Sequence, residues 1–189
     1  MALKMQIFND VKLTPPQNEL KSIVKFGLAE PDSFPDFARH HRREKIVDVA
    51  GSGFSDKALR LPGRYIWGGA ALHHFGHFIA ECLGRLWVTG EAAHKDLPVL
   101  FLMSEENQYI KPHIEAAMVY FGISNYLIET QHVIVDELII GEAGKHMGAA
   151  PKPAYNKWLA TGTNFAGLTD ATYPENICVF RGHLSAGKI

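Results

Sequence analysis

The sequence predicts an α/β layered fold with a mostly parallel sheet. Short apolar runs alternate along the chain with segments whose apolar residues recur every three or four positions, which is typical of strands followed by helices. The clearest run, LPVLFLM at 97–103, is continuously apolar, as expected of a parallel strand buried on both faces. With 47% hydrophobic residues in 189, the chain can bury one core, so we expect a single domain.

The first half of the chain divides into an irregular segment and the start of the layered core. Residues 1–43 are poor in periodicity and rich in turn residues, so we expect short strands and loops there and a Rossmann-like core over 44–189. Strands are predicted at KIVDVA (45–50) and RYIW (64–67), with a loop at 51–63 between them. Helical spacing follows in ALHHFGHFIAECLGRLW, residues 71–87. Its predicted apolar face consists of Phe75, Ile79, Cys82, Leu83 and Leu86.

The second half continues the alternation. Residues 104–122 predict a helix with Ser104 as its N-cap and Gly122 as its stop, and Pro112 indicates a later or kinked start. The predicted apolar face of this helix consists of Ile110, Ile114, Met118 and Phe121. The remaining predictions are short strands at NYLIE, HVIVD and ELIIG within 125–141, a helix around Ala154 to Ala160, and a last strand, NICVFR, at 176–181.

Charge and cysteine content restrict the partners and the compartment. The formal net charge is −1, so the whole molecule does not attract nucleic acid, and we expect no nucleic-acid partner. The two cysteines, Cys82 and Cys178, lie far apart in apolar segments, which favours a reducing compartment over a disulfide framework. No signal peptide or spanning run is evident, so we expect a cytoplasmic protein without a membrane span, with peripheral membrane association left open.

Titratable residues at helical spacing form the most site-like pattern. His73, His77, Glu81 and Arg85 are four apart, so a regular helix would carry them as one polar stripe, with His74 beside it. Such a stripe suits metal ligands, a general-base relay, or donors to a sugar or phosphate; the structural alternative is a solvent-facing stripe opposite an apolar face. Metal is the weakest reading, because zinc proteases place a Glu directly after the first His. We therefore expect no metal site.

Gly76 disfavours the purely structural alternative. A glycine inside a helix costs about 1 kcal/mol relative to alanine. Either something approaches closely at this position or the helix begins after it.

Three further patterns give weaker signals. The basic cluster Arg39–Lys45 has no interleaved aromatic residues, so a solvated loop is favoured over a phosphate, lipid or RNA site. Gly51-Ser52-Gly53 departs from the dinucleotide fingerprint at Asp56, and no phosphate-loop pattern is present, so no cofactor is expected. Cys82 lies among aliphatic residues, which is typical of an inert core thiol.

The run GGAALHHFGHFIAECLGRLW resembles the pattern that opens the family 61 glycosyltransferases, a group with many proteins of capsular polysaccharide biosynthesis. That pattern is a His, an aromatic residue, two apolar positions, an acid and then Leu-x-Arg-Leu, here His77 to Trp87. The family then has a strand running into an Arg, here NICVFR with Arg181. The resemblance covers about two thirds of the chain, from near Arg64 to the end.

This resemblance implies the N-terminal half of a GT-B architecture, in which two Rossmann-like domains face a cleft. It also implies an inverting transfer of a glycosyl group from a nucleotide sugar to a saccharide acceptor, without a metal. The implied catalytic residues are His77, our first choice for a direct role, and Glu81. The implied substrate-binding residues are His73, His74, Arg85 and Arg181.

The end of the chain is the largest departure from the family, whose members continue into a C-terminal donor-binding domain. This chain ends at Ile189, so we expect the N-terminal part of such an enzyme, truncated and inactive alone, that meets the nucleotide sugar only with the absent domain. Two alternatives stay open. One is a stand-alone carbohydrate-binding or regulatory module that lost catalysis, which predicts a polar surface at the docking face. The other is a metal-dependent hydrolase that uses the His73/His77 stripe.

Overall fold

A mixed sheet forms the centre of the molecule. The computed structural model describes residues 2–16, 27–28, 39–41, 44–46, 54–105, 109–145 and 150–160. The strands of the main sheet are β1 (Met5–Thr14), β2 (Gly27–Leu28), β5 (Leu59–Ala70), β6 (Val99–Leu102), β7 (Tyr126–Glu129) and β8 (Val133–Gly141). Their order is β2-β1-β8-β5-β6-β7, and a separate hairpin contains β3 (Arg39–His41) and β4 (Glu44–Ile46).

The sheet is mostly parallel, as the apolar runs predicted. β8, β5, β6 and β7 run parallel to one another, whereas β1 pairs antiparallel with both β8 and β2. β6 lies in the parallel part, and all four of its residues are buried. The α/β character and the mostly parallel sheet are therefore confirmed.

β5 is longer than the predicted RYIW strand, because the predicted loop at 51–63 includes its first residues. Leu59–Leu61 pair with Val133–Val135, and the register then shifts between Leu61 and Arg64. Pro62 and Gly63 occupy this irregularity, with Gly63 at φ 93°. The local Pro-Gly signal indicated a loop, which was wrong, since a bulge allows proline and a left-handed glycine within a continuous strand.

Two other strands differ from the prediction in length. β8 runs continuously from Val133 to Gly141, where two short strands were expected. Its central acids, Asp136 and Glu137, pair with Arg60 and Arg64 of β5, so charged residues continue the strand instead of ending it. β1 is a ten-residue strand inside a segment for which only short strands were expected. The periodicity of β1 is weak, but β1 pairs with β8 along almost its whole length, and this pairing stabilises the strand.

The predicted helix at 71–87 exists as a continuous helical segment from Phe75 to Gly90. It consists of α1 (Phe75–His77), a π turn (Phe78–Cys82) and a 3₁₀ stretch (Leu83–Gly90). Its predicted apolar face is correct at Cys82, Leu83 and Leu86, but Phe75 and Ile79 are 60% and 40% exposed, and Phe78 is buried instead. The wider π turn and the tighter 3₁₀ turn change the angle per residue, so a face calculated at 3.6 residues per turn loses its phase.

The second helix, α2 (Pro112–Tyr120), begins at Pro112, so the late start is confirmed and the Ser104 cap was wrong. Ser104 is buried two residues after the end of β6, before the helix begins. Proline suits the first helical position because the N–H that it lacks would have no partner there. Ile114 and Met118 are buried, as predicted. Gly122 ends the helix at φ 66°.

The remaining described elements are short. α3 (Pro153–Leu159) confirms the helix expected around 154–160. Within the basic cluster, the backbone at 39–41 and at 44–45 belongs to the antiparallel pair β3–β4, where a solvated loop was expected. The side chains of the cluster lie outside what the structure describes. The described residues also exclude most of KIVDVA, the Gly51-Ser52-Gly53 sequence, Cys178 and the strand predicted at 176–181.

The core fills the space between the sheet and the helical segment. The largest fully buried side chains include Trp67, Phe78, Phe101 and Leu86. Among the described residues, no helix is long and apolar enough to cross a membrane.

Candidate functional site

The carboxyl ends of β5, β6 and β7 meet at one edge of the sheet. Ala70, Leu102 and Glu129 stand in register across these strands. The main chain continues the pairing one residue further, because the Ala71 N–H donates to the Leu102 carbonyl at 2.7 Å. Residues that follow β5 and β6 therefore emerge side by side. In parallel sheets this edge is where ligands bind.

Histidine and tyrosine side chains from two loops gather at this edge. After β5 come His73 and His74; after β6 and its loop come Tyr109, Lys111 and His113. We call these five residues the histidine edge. The ring centroids of His73 and Tyr109 are 5.7 Å apart. The cluster joins the end of β5 to the start of α2, two segments almost forty residues apart in sequence.

His113 has a defined setting within the histidine edge. Its ring lies 5.6 Å from the Phe75 ring in an edge-on arrangement and 5.6 Å from the Phe78 ring. Its Nε2 lies 3.5 Å from the Leu72 carbonyl oxygen, at the limit of a hydrogen bond. Aromatic packing and this carbonyl orient the imidazole, so its Nδ1 is the nitrogen free of the Leu72 contact.

Tyr109 and Phe75 make the outer surface of this edge apolar. Each is 60% exposed. The Lys111 ammonium lies 4.4 Å from the centre of the Tyr109 ring and donates a hydrogen bond of 2.5 Å to its hydroxyl. This arrangement places an aromatic face, a hydroxyl and a cation beside the His73 imidazole.

Arg85 lies elsewhere, in the interior. Its side chain is 2% exposed, and its guanidinium donates to the Gly141 carbonyl at the end of β8 over 3.2 Å. The solvent-facing interpretation of the polar stripe therefore fails at Arg85. Nearby groups are held in the same way: the Trp87 indole donates to the Glu142 carbonyl at 2.9 Å, and the Gly144 N–H donates to the Gly84 carbonyl at 2.8 Å.

The stripe does not form one helical face. His73 precedes the helical segment, and a π turn separates His77 from Arg85. Four-residue spacing aligns side chains only in a regular α-helix, so the spacing does not place His73 and Arg85 on one helical face. The backbones of His77 and Glu81 lie in the helical segment, while their side chains and all of Arg181 lie outside the described residues.

Metal ligation and thiol chemistry are the other functions that histidine and cysteine side chains could serve. Within the described part of the chain, no three His, Cys, Asp or Glu side chains are grouped as metal ligands. Cys82 is 2% exposed, and its thiol donates to the Ala70 carbonyl, with 2.7 Å between Sγ and the oxygen. This burial agrees with the prediction of an inert core thiol.

The sequence pattern missed Tyr109, Lys111 and His113. No spacing links them to His73, because the contact depends on the register between β5 and β6. A usable signal was present: polar residues that follow a buried parallel strand lie at its carboxyl end.

No protein-family model, curated protein or solved structure matches this chain.

Proposed function

We propose that this chain is the acceptor-side domain of a family 61-like inverting glycosyltransferase of polysaccharide or glycan biosynthesis, inactive without a donor-binding domain. The observation that supports it best is the histidine edge with its exposed aromatic rings. It lies at the carboxyl ends of parallel strands, next to the segment that resembles the family motif. The donor would be a nucleotide sugar, and the acceptor a saccharide.

The chemistry of this edge suits a saccharide acceptor. The C–H faces of a pyranose pack on aromatic rings such as Tyr109 and Phe75, and its hydroxyl groups pair with imidazole, phenol and ammonium groups. In an inverting transfer, a neutral imidazole accepts the proton of the attacking hydroxyl. His77 stays our first choice for that base, and His73 and His113 are the alternative bases that the histidine edge offers.

The leaving diphosphate needs cationic or main-chain donors, and reaction with water must be excluded. Both requirements call for a second wall across the cleft. The proposal therefore includes inactivity of the chain by itself.

The exposed apolar side chains favour this two-domain hypothesis over a stand-alone module. A module without a docking partner predicts a polar surface here. Phe75 and Ile79, one turn apart, are 60% and 40% exposed, and Tyr109 at the same edge is 60% exposed. Large apolar groups exposed together indicate a contact surface.

Saturation-transfer NMR with a panel of neutral and acidic oligosaccharides tests the acceptor role. We expect saturation of pyranose protons by the purified chain and a loss of about fivefold in affinity in Tyr109→Ala, taking about 1 kcal/mol for the packing contact of one aromatic ring. Val119→Ala is the control, because Val119 is 63% exposed in the last turn of α2, whereas Tyr109 precedes the helix.

The same samples, incubated with nucleotide sugars, test the transfer. We expect neither transfer nor nucleotide release. Glycosyl transfer by this chain alone would refute inactivity, while absence of binding to every saccharide in the panel would refute the acceptor role.

A further inference from the structure

A second concave site lies beyond the carboxyl end of β8, away from the histidine edge. It is a pocket of about 530 Å³ lined by Leu3, Trp87, Gly90, Glu91, Lys157 and Trp158, among others. We call it the tryptophan pocket. Glu142, the residue directly after β8, holds two parts of the pocket wall in place. Its carbonyl accepts a hydrogen bond from the Trp87 indole, and its carboxylate accepts one from the backbone N–H of Lys4, next to Leu3. A volume of this size is typical of small-molecule sites.

The aromatic walls of the tryptophan pocket are held rigidly. The Trp158 ring stacks on the Phe121 ring, with 4.1 Å between the ring centroids and an angle of 11° between the planes. The Tyr155 ring also stacks on Trp158, with 5.6 Å between the centroids. Gly90 allows the helical segment to pack closely against Trp158, because a Cβ at this position would lie only 2.8 Å from Cδ1 of Trp158. The Trp87 indole is fixed by its 2.9 Å bond to Glu142. The pocket wall is therefore built into the fold and needs little ordering when a ligand binds.

Two opposite charges stand at the rim. Glu91 and Lys157 are both exposed, and neither forms an ion pair with another residue of the described ranges. The neighbouring acid and base behave differently, since Lys152 lies 2.6 Å from the Glu142 carboxylate. Glu142 and Lys152 thus form an ion pair beside the pocket, whereas Glu91 and Lys157 are exposed where they line it.

We propose that the tryptophan pocket binds a small zwitterion whose ammonium and carboxylate groups are separated by a short apolar spacer. The ammonium faces Glu91, the carboxylate faces Lys157, and the spacer packs against the apolar wall of Leu3, Trp87 and Trp158. A ligand with one charge would leave one rim group without its complement, and an uncharged ligand would leave both. This site is independent of the proposed saccharide function at the histidine edge.

The test uses 6-aminohexanoate as the probe, with hexanoate and hexylamine as single-charge analogues and methyl glucoside as an uncharged one. The readout is the indole N–H resonances in a ¹H–¹⁵N titration, assigned by Trp→Phe variants. Trp67 is fully buried in the core and serves as the internal reference for Trp87 and Trp158. We expect 6-aminohexanoate to shift the Trp87 and Trp158 signals and leave Trp67 unchanged. It should bind about two- to fivefold more tightly than either single-charge analogue, the range for one exposed ion pair.

Charge variants identify the contacts. Glu91→Gln should remove the advantage of the probe over hexanoate, and Lys157→Met should remove its advantage over hexylamine. Glu115→Gln and Lys57→Met are exposed controls away from the pocket and should leave all affinities unchanged. Absence of shifts at Trp87 and Trp158 would overturn the proposal. Equal affinities for all four compounds, or insensitivity to both rim variants, would overturn it as well.

Discussion

At the scale of single residues, buried polar groups at the strand ends are bound to main-chain carbonyls. The Arg85 guanidinium donates to Gly141, the Cys82 thiol to Ala70, and the Trp87 indole to Glu142. Each bond satisfies a carbonyl at or just after the end of a parallel strand, where the ladder stops. A buried polar group without such a partner would destabilise the fold. These side chains thus attach the helical segment to β5 and β8.

Replacing Arg85 by alanine should lower the free energy of unfolding by about 2–5 kcal/mol, the range for truncating a long buried side chain. Urea denaturation followed by circular dichroism measures this change. Arg85→Met, which keeps the length of the stem, should lose less. An alanine variant as stable as the parent chain would contradict a structural role for Arg85. The substrate-binding role that the sequence implied for Arg85 would then be the one to test.

At the scale of elements, the start and end of α2 are determined by its own residues. Pro112 occupies the first helical position, and Gly122 adopts φ 66° after the last turn. The Gly122 N–H donates to the Val119 carbonyl at 3.1 Å, and the Ile123 N–H donates to the Met118 carbonyl at 2.9 Å. This pair of bonds is the Schellman arrangement, which favours glycine because other L-residues are strained there.

Gly122→Ala should therefore reduce the free energy of unfolding by about 1–2 kcal/mol, the strain of a left-handed alanine. Gly122→Asn should lose less, because asparagine tolerates this conformation. Thermal unfolding by calorimetry compares the three proteins. If alanine were the milder of the two substitutions, the helix would not end in this conformation.

At the scale of the whole molecule, charges join strands that are distant in sequence. Arg60 of β5 contacts Asp10 of β1 at 2.9 Å and Asp136 of β8 at 2.8 Å, and these two acids hold its pKa above the ordinary value. All three side chains are well exposed, so the network contributes to register more than to stability. Packing of α3 is different: Tyr155 is 4% exposed, and burial raises its pKa to about 12.

The buried Tyr155 makes stability depend on alkaline pH. The unfolded chain ionises this phenol near pH 10, whereas the folded chain keeps it protonated to about pH 12. The unfolded state therefore binds fewer protons in this window, and stability falls as pH rises from 10 to 12. The expected loss is about 2–3 kcal/mol.

Denaturation curves at pH 9 and pH 12, compared between the parent chain and Tyr155→Phe, isolate this contribution from other titrating groups. The phenylalanine variant should show the smaller decrease. Equal decreases in both proteins would mean that Tyr155 ionises in the folded state as it does in the unfolded one.

The sequence pattern was sufficient to predict an element where the residues of that element alone determine its structure. The apolar run of β6, the glycine stop of α2 and the helix α3 were predicted correctly, because burial on both faces, a left-handed glycine and helical spacing are each properties of a short segment. The α/β class followed from the order of such segments. The substrate-binding role expected for His73 and His74 stays a prediction.

Only the tertiary structure decided the features that depend on contacts between segments. The bulge lies within one continuous strand because β5 pairs with β8 on both sides of it, at Leu59–Leu61 and at Arg64–Ile66. The phase of the helical segment depends on turns that packing selects. The contact between His73 and Tyr109 is decided in the same way, since it depends on the register between β5 and β6. The tryptophan pocket likewise brings together Leu3, Glu91 and Lys157. Periodicity reports which face of one element is buried, whereas the neighbours of that face depend on pairing and packing across the whole chain.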